Sequence, residues 1–161
     1  VILIENAEKI ILKGDDLIMS TDTVELLKEC NAGVKMGVCA IEDVEDNVSD
    51  KSFKKVLSQN KKEHQDIGSE IHKILNSMDE AGKEPNVMAK GMSWIKTNVK
   101  ISLDDSDNTI ADLITDGCNM GVKSLNKYLN QYKAADEQSK KIAKKLIDLE
   151  HDLTIDIRKY L

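Results

Sequence analysis

The sequence predicts an all-α fold built from four long helices, and three observations predict it. Proline, poorly tolerated inside a helix, occurs once in 161 residues, at Pro85. Lys, Glu, Asp, Leu and Ile are abundant while aromatic residues make up only 3%, a composition that favours helix. From residue 21 onward, apolar residues return at steps of three and four in four separate stretches, the period of a helix with one buried face.

Residues 1–20, "VILIENAEKIILKGDDLIMS", stand apart from that pattern. Two short apolar runs flank a charged patch and "KGDD" reads as a turn; a hairpin, a short helix and a flexible leader all fit, and an irregular docked arm is the preferred reading. The first helix is then expected to start at Ser20, Thr21 or Asp22 as N-cap, with a stripe of Leu27, Cys30, Val34, Val38, Ile41, Val44 and Val48. "NVSDKSF" interrupts it, and Ser49 or Asp50 caps a second helix striped by Phe53, Val56, Leu57, Asn60, His64, Ile67, Ile71, Ile74, Leu75 and Met78. Gly82 and Pro85 mark its stop. "VMAKGMSWIKTNVKISL" is a crossing helix or a helix with a loop. "DDSDN" caps a third long helix with Ile110, Leu113, Ile114, Gly117, Gly121, Leu125, Tyr128, Leu129 and Tyr132 on one face. "KAADEQ" links it to a fourth, striped by Ile142, Leu146, Leu149, Leu153, Ile157 and Tyr160.

The result is two helical hairpins, 21–80 and 107–161, joined by the segment 81–106. Short links make each pair antiparallel, and a long crossover between helices two and three lets the second pair return in the opposite sense. That is the ferritin-like, up-down-down-up form of the four-helix bundle, here spanning 21–161 behind the arm 1–20. An internal repeat agrees with it: "CNAGVK" at 30–35 returns as "CNMGVK" at 118–123, each in the first helix of a hairpin. Coincidence between lysine-rich helices is the alternative. Glycine costs ~1 kcal/mol inside a helix, so Gly33, Gly37, Gly117 and Gly121, paired one turn apart, point to close approach of another backbone or a bulky side chain.

Charge and cysteines bound the function classes. A formal net charge of −6 argues against a nucleic-acid surface, and no aromatic residues are interleaved to stack bases. No apolar run approaches the ~20 residues of a membrane span. Cys30, Cys39 and Cys118 form neither a CxxC pair nor an even set, which suits a reducing cytoplasm better than a disulfide scaffold. The residues identify no small-molecule ligand.

The stretches "LLKECNAGVKMGVCAIE", "SFKKVLSQNKKEHQDI" and "ITDGCNMGVKSLNKYL" resemble uncharacterised bacterial ferritin-like four-helix bundles, related to the rubrerythrin and spore-coat types, over roughly residues 21–161. The resemblance is one of pattern and contains no invariant motif. It implies a small, acidic, cytoplasmic or spore-associated protein and a possible iron or manganese centre. Where such families carry the helix-one glutamate this chain has Lys35, and Lys123 in the third helix. An ammonium has no lone pair for a cation, so the departure tells against metal.

A di-iron bundle needs one Glu from each of two helices and a Glu-x-x-His from each of the others, all inward. Lys61 precedes His64 and Ser69 precedes His72 by three; only Asp148-x-x-His151 has suitable chemistry. At about 100° per residue, His151 and His72 face solvent. His64 lies mid-stripe and Glu150 close to its own stripe, opposite His64 when the stripes are aligned. Three readings follow for that pair: with Asn60, a buried polar contact fixing helix register; a remnant single-metal site of His64, Glu150 and Glu63; or acid–base catalysis. The register reading is preferred. The cysteines are expected as core thiols, Lys35 and Lys123 as outward lysines, and "IEDVEDNVSD" as a solvated helix end lacking calcium-loop spacing.

The function expected is therefore a non-enzymatic bundle in a structural or interaction role, without cofactor, with an iron- or manganese-binding redox or storage protein as the alternative. The apolar crossover with Met88, Met92, Trp94 and Ile95 suggests a homodimer contact, or a cap on one end of the bundle.

Overall fold

The structure, a computed structural model, describes the backbone of residues 2–78 and 106–161, and side chains from residue 21 onward within those ranges. Four helices make up the described residues, with no strand among them: α1 (Ile2–Val44), α2 (Lys51–Ser77), α3 (Asp107–Gln131) and α4 (Glu137–Ile157), the last closed by a 3₁₀ turn over Arg158–Tyr160.

Three starts carry side-chain caps, those of α2 and α3 within the stretches where the sequence places them and that of α4 inside the link "KAADEQ". Asp50 accepts from the Phe53 N–H at 2.8 Å, Ser106 from Thr109 at 3.3 Å and Asp136 from Ser139 at 2.7 Å, each satisfying a donor the first helical turn leaves open. The start of α1 is a correction. Residues 2–20 are not irregular: their backbone is helical and runs unbroken into the next segment. Ala7, Glu5, Glu8, Lys9 and several Leu and Ile residues all tolerate helix, and Gly14 alone costs too little to end one. Ser20, Thr21 and Asp22, the expected caps, instead lie inside α1. Asp22 and its neighbour Thr23 accept the N–H groups of Ala134 and Asp136 in the α3–α4 link, at 2.9 Å each.

Hydrogen bonds at the opposite end fix the direction of every helix. The Asp107 carboxylate, opening α3, accepts Ser49 and Asp50 N–H groups at 2.8 and 2.9 Å from the turn between α1 and α2. Tyr160, after α4, donates its hydroxyl to Asp50 at 2.9 Å and stacks on Phe53 with ring centres 4.4 Å apart. So α1 and α4 finish where α2 and α3 begin, an up-down-down-up bundle. Helix α1 packs on α2 and α3, α4 packs on α3 and α2, and α1 meets α4 across the diagonal.

The core forms two apolar clusters, one above the other. One holds Leu26, Leu27, Cys30, Val34, Ile67, Ile71, Leu125, Ile142 and Leu146. The other holds Ile41, Val44, Phe53, Leu57, Ile110, Ile114, Cys118, Leu153 and Ile157. Between them, at mid-length, lies a layer that is not apolar. The expected helix stop at Gly82 and Pro85, and the crossover with Met88, Met92, Trp94 and Ile95, lie outside the described residues.

Candidate functional site

The mid-bundle layer is made by residues that the helical period itself turns inward. On α2 the buried series runs Phe53, Leu57, Asn60, His64, Ile67, Ile71, Leu75; on α4 it runs Ile142, Leu146, Glu150, Leu153, Ile157. His64 is 1% exposed, Asn60 6% and Glu150 7%, so each must find its polar partners inside the protein.

They do so largely through one another. His64 Nε2 lies 3.1 Å from Glu150 Oε1, and His64 Nδ1 lies 3.0 Å from the Asn60 carbonyl. Asn60 in turn donates its side-chain amide to the Leu149 carbonyl at 3.3 Å, a second tie from α2 to α4. The Asn60 Oδ1 has no protein partner. From α3, the buried Cys118 thiol lies close enough to Glu150 for the carboxylate to help raise its pKa.

The proton inventory follows from the acceptors. A carbonyl cannot donate, so His64 Nδ1 carries a hydrogen and donates to Asn60. If the ring is neutral, Nε2 then holds only a lone pair, and a lone pair facing an ionised carboxylate is repulsive. The 3.1 Å contact therefore requires one proton between Nε2 and Oε1, formally imidazolium and carboxylate. Burial pushes the His64 pKa down, but the bond to Glu150, its charge, the Asn60 carbonyl and the more distant Glu63 charge outweigh it, and the net direction is up.

The other two helices meet this layer with glycine. A Cβ on Gly37 of α1 would fall 2.7 Å from His64 Nε2 and 2.8 Å from its Cδ2; one on Gly121 of α3 would fall 3.3 Å from Glu150 Cδ. The imidazole and the carboxyl group thus lie directly against helix backbone, in space a side chain would fill. Gly33 has only an ordinary contact with Leu146, and Gly117 has nothing nearby, so two of the four glycines provide the close approach expected of them.

Other candidate residues are placed elsewhere. Glu63 is exposed and accepts from Gln59 at 2.8 Å, so His64 and Glu150 come together without it. His72, His151 and Asp148 are exposed, and so is Lys123, while Lys35 is half-buried. Cys30 and Cys118 are buried and Cys39 half-buried, none in a disulfide. Burial, helped by Glu29, pushes the Cys30 thiol up to about 12, and burial with Glu150 pushes Cys118 up as well, which keeps both protonated and poorly nucleophilic. The proximity of Cys118 to Glu150 was missed in the sequence; its only signal is that Cys118 lies one helical turn from Gly121 on the same face.

The fold has a solved counterpart. The chain is similar to the crystal structure of the E. coli stress protein YciF, with a TM-score of 0.67 over 88% of this chain and 92% of that one, at 11% identity. At that identity the likeness establishes the four-helix fold alone. No protein-family model matches the sequence, and neither does any curated protein.

A two-metal carboxylate centre does not fit this layer. At the level where α1 and α3 would supply inward glutamates they have Gly37 and Gly121, and the volume is occupied by His64 and Glu150 themselves. Among the described residues, no three His, Cys, Asp or Glu side chains are placed to hold an ion. No helix among them is long and apolar enough to cross a membrane.

Proposed function

We propose that this chain is a ferritin-like bundle acting in a structural or interaction role, without an intact di-iron centre, and that its buried His64–Glu150 pair fixes the register of the two hairpins. The observation that carries this reading is the pair of glycines. Carboxylate ligands on α1 and α3 would need side chains where Gly37 and Gly121 have none, and the imidazole and carboxyl of the other two helices occupy that space. A buried pair costs desolvation and is retained where it selects one packing over another. Three thiols and an acidic surface suit a reducing cytoplasm and a protein rather than a nucleic-acid partner, with a second copy of the chain as the first candidate.

Metal analysis tests the first part. Protein purified without a chelating tag and supplied with iron or manganese should retain far less than one ion per chain. Two ions per chain, with an oxo-bridge band in the visible spectrum, would establish the redox or storage reading in its place. Sedimentation at micromolar concentration tests the second part. A dimer lost on Trp94→Ser or Met92→Ser places the contact on the crossover, and a clean monomer removes it.

A further inference from the structure

We propose that His64 and Glu150 form a proton-held clasp: a single proton between Nε2 and Oε1 ties the first hairpin to the second, and its loss under alkaline conditions loosens the bundle at mid-length. The bond spans 86 residues of sequence and joins α2 to α4, with no covalent or helical link between them at that level. It lies between the two apolar clusters, beside the Asn60–Leu149 tie and against the glycines of α1 and α3, so a change there touches all four helices.

Without the proton, the Nε2 lone pair would face a carboxylate oxygen 3.1 Å away in a layer almost closed to water. The ring cannot escape by changing tautomer, because Nδ1 must keep its hydrogen for the Asn60 carbonyl. Nor can it retreat toward α1, where Gly37 already lies in contact. The groups facing the ring are few. Helix α4 contributes Glu150, α3 contributes the Cys118 thiol beside Glu150, and α1 lays the backbone of Gly37 against the ring. On α2 itself, the Asn60 carbonyl and the Glu63 charge both favour the protonated ring, and Cys118 keeps its own proton throughout because burial pushes its pKa up.

The direction of the pH effect follows. His64 is raised above its ordinary value of 6.5, so its contribution is fully present below that pH and is lost as pH rises through the folded value. Each unit by which the folded value exceeds the unfolded one removes roughly tenfold from the folding equilibrium constant. Replacing Glu150 by Gln reverses the logic. The glutamine amide would donate to the Nε2 lone pair, the neutral ring would be the preferred form, and the alkaline loss would disappear.

The test is a pH titration of His64 ring nitrogens by ¹⁵N NMR on the full chain, with urea unfolding midpoints at about pH 6 and about pH 9 for wild type and Glu150→Gln. The proposal predicts a ring protonated on both nitrogens at neutral pH, a wild-type midpoint that falls on the alkaline side, and a variant midpoint that stays level or rises. A ring titrating at or below the ordinary histidine value, or equal alkaline losses in both proteins, would overturn it. Should Glu150→Gln fail to fold, the wild-type ring titration decides alone. The proposal rests on the reading that this layer holds a proton and not a metal. Metal analysis of the same sample shows failure of that reading, whereas the titration of metal-free protein can fail independently.

Discussion

In the first hairpin the inward residue at mid-length of the returning helix is an imidazole lying on Gly37; in the second it is a carboxyl group lying on Gly121. The surroundings match closely. Buried Leu26, Leu27, Cys30, Val34 and Ile41 of α1 have buried counterparts in Ile110, Ala111, Ile114, Cys118 and Leu125 of α3, and Leu57, Ile67 and Ile71 of α2 correspond to Ala143, Leu153 and Ile157 of α4. Two hairpins of the same plan differ at few buried positions, Asn60 against Leu146 and Phe53 against Ser139 among them, and the one difference that pairs across the bundle sets a base against an acid. On the proposed reading, the apolar positions alone do not fix one register and the complementary pair selects it.

The comparison breaks most severely if one partner is left alone. Glu150→Leu strands the protonated ring, and His64→Leu strands the carboxylate; losing one member of a buried pair costs about 3–5 kcal/mol. Urea unfolding at about pH 6 measures it, and a loss under about 1 kcal/mol would show that the layer is wetter than its burial implies.

The glycines sharpen the contrast. Gly37→Ala would bring Cβ to 2.7 Å from a buried ring that has no room to retreat, so the overpacking cost of about 1–3 kcal/mol should exceed the ~1 kcal/mol of helix propensity gained. Gly121→Ala meets Glu150 at 3.3 Å, where a shift of a few tenths of an ångström suffices, so its net effect should lie within about 1 kcal/mol of zero. Gly117→Ala meets nothing and should stabilise by roughly 0.5–1 kcal/mol. Thermal or urea melts of the three variants should rank in that order, and Gly37→Ala melting above wild type would contradict the close seat of His64.

The helical period made most of this legible. It placed His64 and Glu150 inward and opposite each other and turned His72 and His151 outward, because phase along a straight helix accumulates predictably, while cap-forming residues marked the starts of α2 and α3. Three features escaped it for separate reasons. Asp22, one of the caps expected for α1, bonds to the α3–α4 link instead, a tertiary contact that local sequence cannot distinguish from a local cap. The near-repeat pairs Cys30 with Cys118 and Gly33 with Gly121, yet the packing matches Cys30 with Ile114 and Gly37 with Gly121. A shift of four residues is about one turn, so the letters preserve the face and lose the level. Glu63 sits beside His64 in the chain, but about 100° of rotation carries it to the surface.

The most direct test is the double-mutant cycle on His64→Leu and Glu150→Leu, read by urea unfolding at about pH 6. If the two side chains share one proton in a closed layer, the double variant replaces both by apolar groups and should be more stable than either single variant, with a coupling of about 2 kcal/mol or more. Additive losses, with no coupling beyond the ~0.5 kcal/mol expected of independent sites, would mean that the pair does not hold the two hairpins in register.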